Sequence, residues 1–127
     1  MTLFDTDVIV WMLRGNKAAA SKIDAAPARA ISAVSYMELL FGAHDAREVR
    51  TIRKTLEVLA FHILPVTETI SNRAVSIMEQ QALSVRLDPD DAMIFATALD
   101  LDITLCSGNE KHFRQIEGLR ATVFRPA

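Results

Sequence analysis

The side chains best placed to do chemistry in this 127-residue chain are carboxylates. Asp5 closes a short apolar run, Thr2-Leu3-Phe4. Glu38 opens a helical pattern after a second run, Arg29–Ser32, and Asp91 stands in the acidic stretch Asp88-Pro89-Asp90-Asp91. Asn109 follows a further apolar run, Ile103–Cys106, and adds a neutral oxygen. If these runs are neighbouring parallel strands, Asp5, Glu38, Asp91 and Asn109 fall at their carboxyl ends, where ligands bind in open α/β sheets. Three carboxylates meeting without balancing cations repel and raise one another's pKa. A hard divalent cation removes that conflict. Oxygen ligands without His or Cys favour Mg²⁺ or Mn²⁺, which keep waters that substrate phosphates can replace.

Each of these residues also has a plainer role open to it. Asp5 can cap the following helix. Glu38 stands three residues after Ser35, the spacing of a capping box. Asp88 is a good N-cap ahead of Pro89 at the first helical position, which leaves Asp90 and Asp91 as neighbouring candidates for the ligand. Asp7 is either a helix N-terminal acid or a group holding a metal-bound water, and Asn109 is a site residue or an ordinary turn or helix cap. His112 lies one turn beyond Asn109 and is expected to pack beside Phe113. His44 and His62 have no paired ligand spacing.

The elements that would position these groups alternate. Strands are expected at Thr2–Phe4, Arg29–Ser32, Phe61–Leu64, Ile103–Cys106 and Ala121–Phe124. Between them fall apolar Val8–Leu13 stopped by Gly15, an Ala-rich helix from Lys17 to Ala26, and a helix entered at Ser35. A further helix, Ala46 to Leu59, carries Val49, Ile52, Leu56 and Leu59 at helical spacing. A long helix capped by Thr67 or Thr69 runs to about Val85 with Ile70, Ala74, Ile77, Met78 and Leu83 inward. The Asp88 helix and a short one from Glu110 to Ile116 complete the set. Strands alternating with helices predict an α/β fold with a parallel sheet covered on both faces.

Bulk properties narrow the class. The length fits one domain, residues 1–127, and half the residues are apolar. A net charge of −2 excludes a strongly basic nucleic-acid coat but not a local basic groove. Arg47, Arg50 and Lys54 form a basic stripe, either a solvated helix face or, with Arg14 and Lys17, a track for phosphates. The single cysteine, Cys106, excludes an internal disulfide and a four-thiolate zinc site, and fits a reducing, cytoplasmic setting. No apolar run approaches the ~20 residues that span a bilayer, and no signal peptide is expected. Trp11 and Met12 are either core or an apolar surface for a partner.

Four segments together resemble the PIN-domain family, most closely its small VapC-type ribonuclease toxins. They are Phe4-Asp5-Thr6-Asp7-Val8-Ile9, Ser35-Tyr36-Met37-Glu38-Leu39-Leu40-Phe41-Gly42, Asp91-Ala92-Met93-Ile94-Phe95-Ala96-Thr97-Ala98-Leu99, and Leu105-Cys106-Ser107-Gly108-Asn109-Glu110-Lys111-His112-Phe113. The resemblance implies a three-layer α/β/α sandwich with a mainly parallel five-stranded sheet. It also implies Mg²⁺- or Mn²⁺-dependent endoribonuclease activity, with one ion bound and the choice between that ion alone and a second arriving with substrate left open. Asp5, Glu38 and Asp91 match the family's three metal-binding acids, and Asp91 takes the position that Asp90 could be mistaken for. Asn109 occupies a fourth position that is often Asp. Ser107 keeps a hydroxyl where Thr is usual, and Gly108 replaces a residue that is often polar or basic. Further implications are an RNA substrate, a cognate antitoxin protein lying over the acidic site, and a homodimer. Two alternatives remain: a PIN-fold module that binds RNA or protein without catalysis, and a phosphatase of the haloacid-dehalogenase type. In the latter Asp5 would be the nucleophile and Asp7 the acid, but its Lys and Gly-Asp-rich motifs are not found.

Overall fold

A computed structural model describes residues 1–126, the side chain of Ala82 aside. Five strands form the sheet: β1 (Thr2–Phe4), β2 (Arg29–Ser32), β3 (Phe61–Leu64), β4 (Thr104–Ser107) and β5 (Ala121–Val123). Seven helices connect them: α1 (Thr6–Leu13), α2 (Lys17–Ala25), α3 (Ala33–Phe41), α4 (Ala46–Val58), α5 (Glu68–Val85), α6 (Pro89–Leu101) and α7 (Glu110–Phe113). The strand order is β3-β2-β1-β4-β5, and every pairing is parallel.

Alternation along each strand divides the core between two faces. Leu3, Ala30 and Leu105 pack with Ile70, Ile94 and Phe95 of α5 and α6. Their neighbours Phe4, Ile31 and Cys106 pack with Val8, Ile23 and Leu56 of α1, α2 and α4. Helix α3 serves both sides, sending Val34 to the first and Leu39 to the second. Burial on both faces explains why the central strands read as continuous apolar runs. The result is the three-layer α/β/α sandwich the sequence predicts. Among the described residues no helix is long and apolar enough to cross a membrane.

Three expectations need correction. Helix α3 starts two residues before Ser35: Ser32, at the end of β2, is its N-cap and accepts from the Val34 amide at 3.1 Å. No capping box therefore engages Glu38, which lies in the second turn. Leu83 is not inward but 97% exposed. It follows Ile77 by six residues, which turns it about 240° from the face shared by Ile70, Ala74 and Ile77, and Val85 packs inward there instead. Helix α7 stops at Phe113, though Ile116 beyond it is still buried.

The Ser32 cap lies at the entry to the helix that carries Glu38, in a fully buried position. Ser32→Ala is expected to lower stability by about 1 kcal/mol, measured as a reduced urea midpoint with an unchanged slope.

Candidate metal centre

Strand order reverses its sense of progression between β1 and β4, so their carboxyl ends define the switch point. Asp5 sits there, one residue past β1, 5% exposed, and caps α1. Its Oδ1 accepts from the Thr6 amide at 2.8 Å and its Oδ2 from the Ser107 hydroxyl at 2.7 Å. Ser107, fully buried at the end of β4, in turn accepts from the Asn109 amide at 2.9 Å. The hydroxyl expected at this position thus couples Asp5 to the loop bearing Asn109.

The other acids enter from neighbouring elements. Thr6 Oγ1 lies 2.8 Å from both Ser35 Oγ and Glu38 Oε1. Having one hydrogen, it donates to the carboxylate and accepts from Ser35. Asp91 occupies the first turn of α6, its amide donating to the capping Asp88 at 2.9 Å. Its Oδ2 is 3.1 Å from His112 Nδ1. Asp7 accepts from the Val8 amide at 2.8 Å and from the Gly108 amide at 2.9 Å. A Cβ on Gly108 would stand 2.7 Å from Asp7 Oδ2, so the polar or basic side chain often found there has no room in this chain.

Asp5, Thr6, Asp7, Glu38, Asp91 and Asn109 line one cavity of about 250 Å³. Asp88 caps α6, and Asp90 lines an adjoining hollow with Glu38, Met37, Phe41 and Met93. Of the three neighbouring acids, Asp91 is the one that lines the acid cavity. Asn109 starts α7 but makes no side-chain cap bond; its amide nitrogen lies 2.9 Å from His112 Nδ1. His112 was expected to pack against Phe113, but its ring nitrogen instead faces the acid site, because one turn of α7 sets it beside Asn109. Thr6 and Arg125 also escaped sequence reasoning. Thr6 stands between two candidate acids. Arg125 is distant in sequence and reaches the Gly108 carbonyl at 3.1 Å and Glu110 at 3.1 Å.

Burial dominates the electrostatics. It lifts the Asp5 carboxyl from 3.8 to about 7, against the Ser107 and Thr6 hydrogen bonds, with Asp7 and Asp91 adding repulsion. Burial also raises Asp7, Glu38 and Asp91; Asp90, Asp88 and Asp91 push Glu38 further, while His112 lowers Asp91. Among the described residues no Lys or Arg pairs with Asp5, Asp7, Glu38 or Asp91. Nor do any three His, Cys, Asp or Glu side chains close around one point tightly enough to cage an ion. Each carboxylate is held instead by its own protein donor around an open space. The donor set still fits a hard cation: it is all oxygen, with Asp5 buried and Glu38, Asp91 and Asn109 half-buried, and an open arrangement suits an ion that retains water.

The comparisons agree with this fold. The model of the PIN domain family matches residues 2–119, and the chain belongs to that family. By sequence comparison no curated protein matches it. Among solved structures, it is similar to a chain of a toxin–antitoxin complex from Klebsiella pneumoniae, with 29% identity and a TM-score of 0.81 over 100% of this chain and 98% of that one. FitAcB from Neisseria gonorrhoeae shares the fold at 24% identity and TM-score 0.77, covering 99% and 98%. So does VapBC2 from Rickettsia felis, solved with a DNA fragment from its promoter, at 17% identity and TM-score 0.79 over 98% of both chains. The similarity to VapC-type toxins read from the four sequence segments is borne out.

The raised Asp5 pKa sets a sign for pH dependence. Between the ordinary carboxyl value and about 7, the folded protein holds a proton that the unfolded chain has released. Stability of the metal-free protein therefore falls as pH rises through that window. Urea unfolding in EDTA at pH 5 and pH 8 should show a larger loss for wild type than for Asp5→Asn.

Proposed function

We propose that this chain is a Mg²⁺- or Mn²⁺-dependent endoribonuclease, the toxin partner of a toxin–antitoxin pair. The observation that carries this is the meeting of Asp5, Glu38, Asp91 and Asn109 on one cavity at the switch point, without a balancing Lys or Arg among the described residues. Asp5, Glu38 and Asp91 would hold the ion, directly or through waters, with Asn109 as a neutral fourth ligand. A bound ion supplies an acidified water to attack the phosphodiester and positive charge for the departing oxygen. The chain's own residues hold that arrangement. Ser107 and the Thr6 amide fix Asp5, the Thr6 hydroxyl fixes Glu38, and Asp7 ties the Gly108 turn beneath Asn109. Among the described residues the hydroxyls and thiol beside the acids are otherwise engaged: Ser107 donates to Asp5, Thr6 donates to Glu38, and Cys106 is buried with its thiol pKa raised by burial.

The partner assignments follow the solved relatives, of which the first is a toxin–antitoxin complex. A groove of about 680 Å³ lined by Val10, Leu13, Leu39 and Ile52, with Arg14 and Arg47, shares Thr6 and Glu38 with the acid cavity. An antitoxin segment lying there would reach the acids and keep RNA from them. A homodimer is supported by Phe41 and Met37 of α3, 94% and 58% exposed. The neutral Asn109 favours, as a second reading, a PIN module that binds without cutting.

Two measurements separate these outcomes. Wild type with Mn²⁺ should cut total cellular RNA into discrete fragments, while EDTA or Asp91→Ala should reduce cleavage by at least about 100-fold. Unchanged cleavage by Asp91→Ala would refute the assignment, and absence of both cleavage and Mn²⁺ binding would leave the binding module. Light scattering at tens of micromolar should give a dimer that Phe41→Glu converts to monomer; a wild-type monomer would remove the dimer.

A further inference from the structure

His112 was expected to be a packing residue, yet its Nδ1 touches two of the four groups assigned to the ion. It lies 3.1 Å from Asp91 Oδ2 and 2.9 Å from Asn109 Nδ2. A ring nitrogen carries either a hydrogen or a lone pair in the ring plane, so it cannot donate to a carboxylate and accept from an amide at once. A half turn of the Asn109 amide exchanges its nitrogen and oxygen. Nδ1–H then donates to both oxygens, the conflict disappears, and the Asn109 oxygen keeps its second lone pair for an ion. Asp91 belongs to α6 and Asn109 to the turn after β4, and among the described residues no other side chain bridges the two. The ring's own position is fixed from both sides: the His112 amide donates to the Asn109 carbonyl at 3.0 Å, and the next residue, Phe113, is buried in the core.

We propose that His112 is a positioning residue for the metal centre, whose Nδ1–H holds Asp91 by Oδ2 and Asn109 by its amide oxygen and so sets the gap between them. Asp91 Oδ1, which accepts no hydrogen bond among the described residues, is left for the cation. The role rests on the metal-dependent function proposed above. It follows a general property of metal sites, in which removing a hydrogen-bond partner of a ligand typically weakens metal binding by about 10–100-fold.

The test is calorimetric titration of Mn²⁺ into wild type, Asp5→Ala, and His112→Ala, His112→Asn and His112→Gln, with thermal unfolding of each. An Asn side chain brings its amide nitrogen near the place of Nδ1, whereas Gln brings it near that of Nε2. His112→Ala is expected to weaken Mn²⁺ binding by about 10-fold or more, with Asn recovering most of the loss and Gln little. A lower melting temperature with unchanged affinity in His112→Ala would make the ring a packing group only and overturn the proposal. Equal losses in the Ala and Asn variants would overturn it as well. Should the Ala variant fail to fold, the Asn and Gln variants compared with each other decide the matter. If wild type shows no Mn²⁺ site that Asp5→Ala abolishes, the metal function fails and His112's role with it. If that site is present and His112→Ala leaves it unchanged, only the role of His112 fails.

Discussion

The burial of one carboxylate, Asp5, is the constraint on which the rest of the site depends. At 5% exposure its charge has lost most of its hydration, and Asp7 and Asp91 add repulsion where a cation would ordinarily compensate. Two short hydrogen bonds, from the Thr6 amide and the Ser107 hydroxyl, offset part of that cost. The second of these donors exists because β4 lies beside β1. The first comes from the helix that begins as β1 ends, the second from the end of the adjacent strand. Parallel register between Phe4 and Cys106 brings Ser107 level with Asp5. The sheet order is thus the cause of the site and not merely its setting.

Those parts of the molecule governed by local rules were legible in the sequence. Apolar runs flanked by helix signals placed all five strands, and Asp88 with Pro89 placed the start of α6. Acids positioned at strand and helix ends led to Asp5, Glu38, Asp91 and Asn109, all of which line the observed cavity. What escaped depends on contacts across the fold. Ser35 looked like a cap because Glu38 follows at capping-box spacing; instead Ser32 can turn its hydroxyl to Val34 as β2 ends, and Ser35 is drawn inward to Thr6. His112 is three residues from Asn109, a spacing visible in the sequence, but its approach to Asp91 depends on α6 and α7 meeting above β4. Arg125 gives no local signal at all.

The carboxylates form an open set because each is already engaged. Ser107 and Thr6 hold Asp5, Thr6 holds Glu38, Gly108 and Val8 hold Asp7, and His112 holds Asp91. Such partners limit the rotamers available to each acid while keeping the like charges from collapsing together. Among the described residues no three of these acids close around one point, so a cation that kept these hydrogen bonds in place would be held partly through waters. The raised pKa values record chiefly the burial of these carboxyls, to which their mutual repulsion adds. An ion would reverse that balance by making the ionised forms favourable.

The turn that carries Asn109 is restrained from both sides, which explains how the entry to a four-residue helix can be held in place. Beneath it, the Gly108 amide donates to Asp7, and the absence of a side chain permits the 2.9 Å approach. On its outer side Arg125 donates to the Gly108 carbonyl and to Glu110, while the Phe124 amide donates to Ser107. The segment bearing Arg125 is itself tied back to α2, where the Asn16 side chain donates to the Pro126 carbonyl at 2.8 Å. Asn16 also caps that helix through the Ala19 amide. A path of hydrogen bonds therefore runs from the start of α2, through the segment after β5, to the turn beside the acids. The surroundings of Asn109 are built from pieces of chain far apart in sequence, and the sheet order is what makes them neighbours.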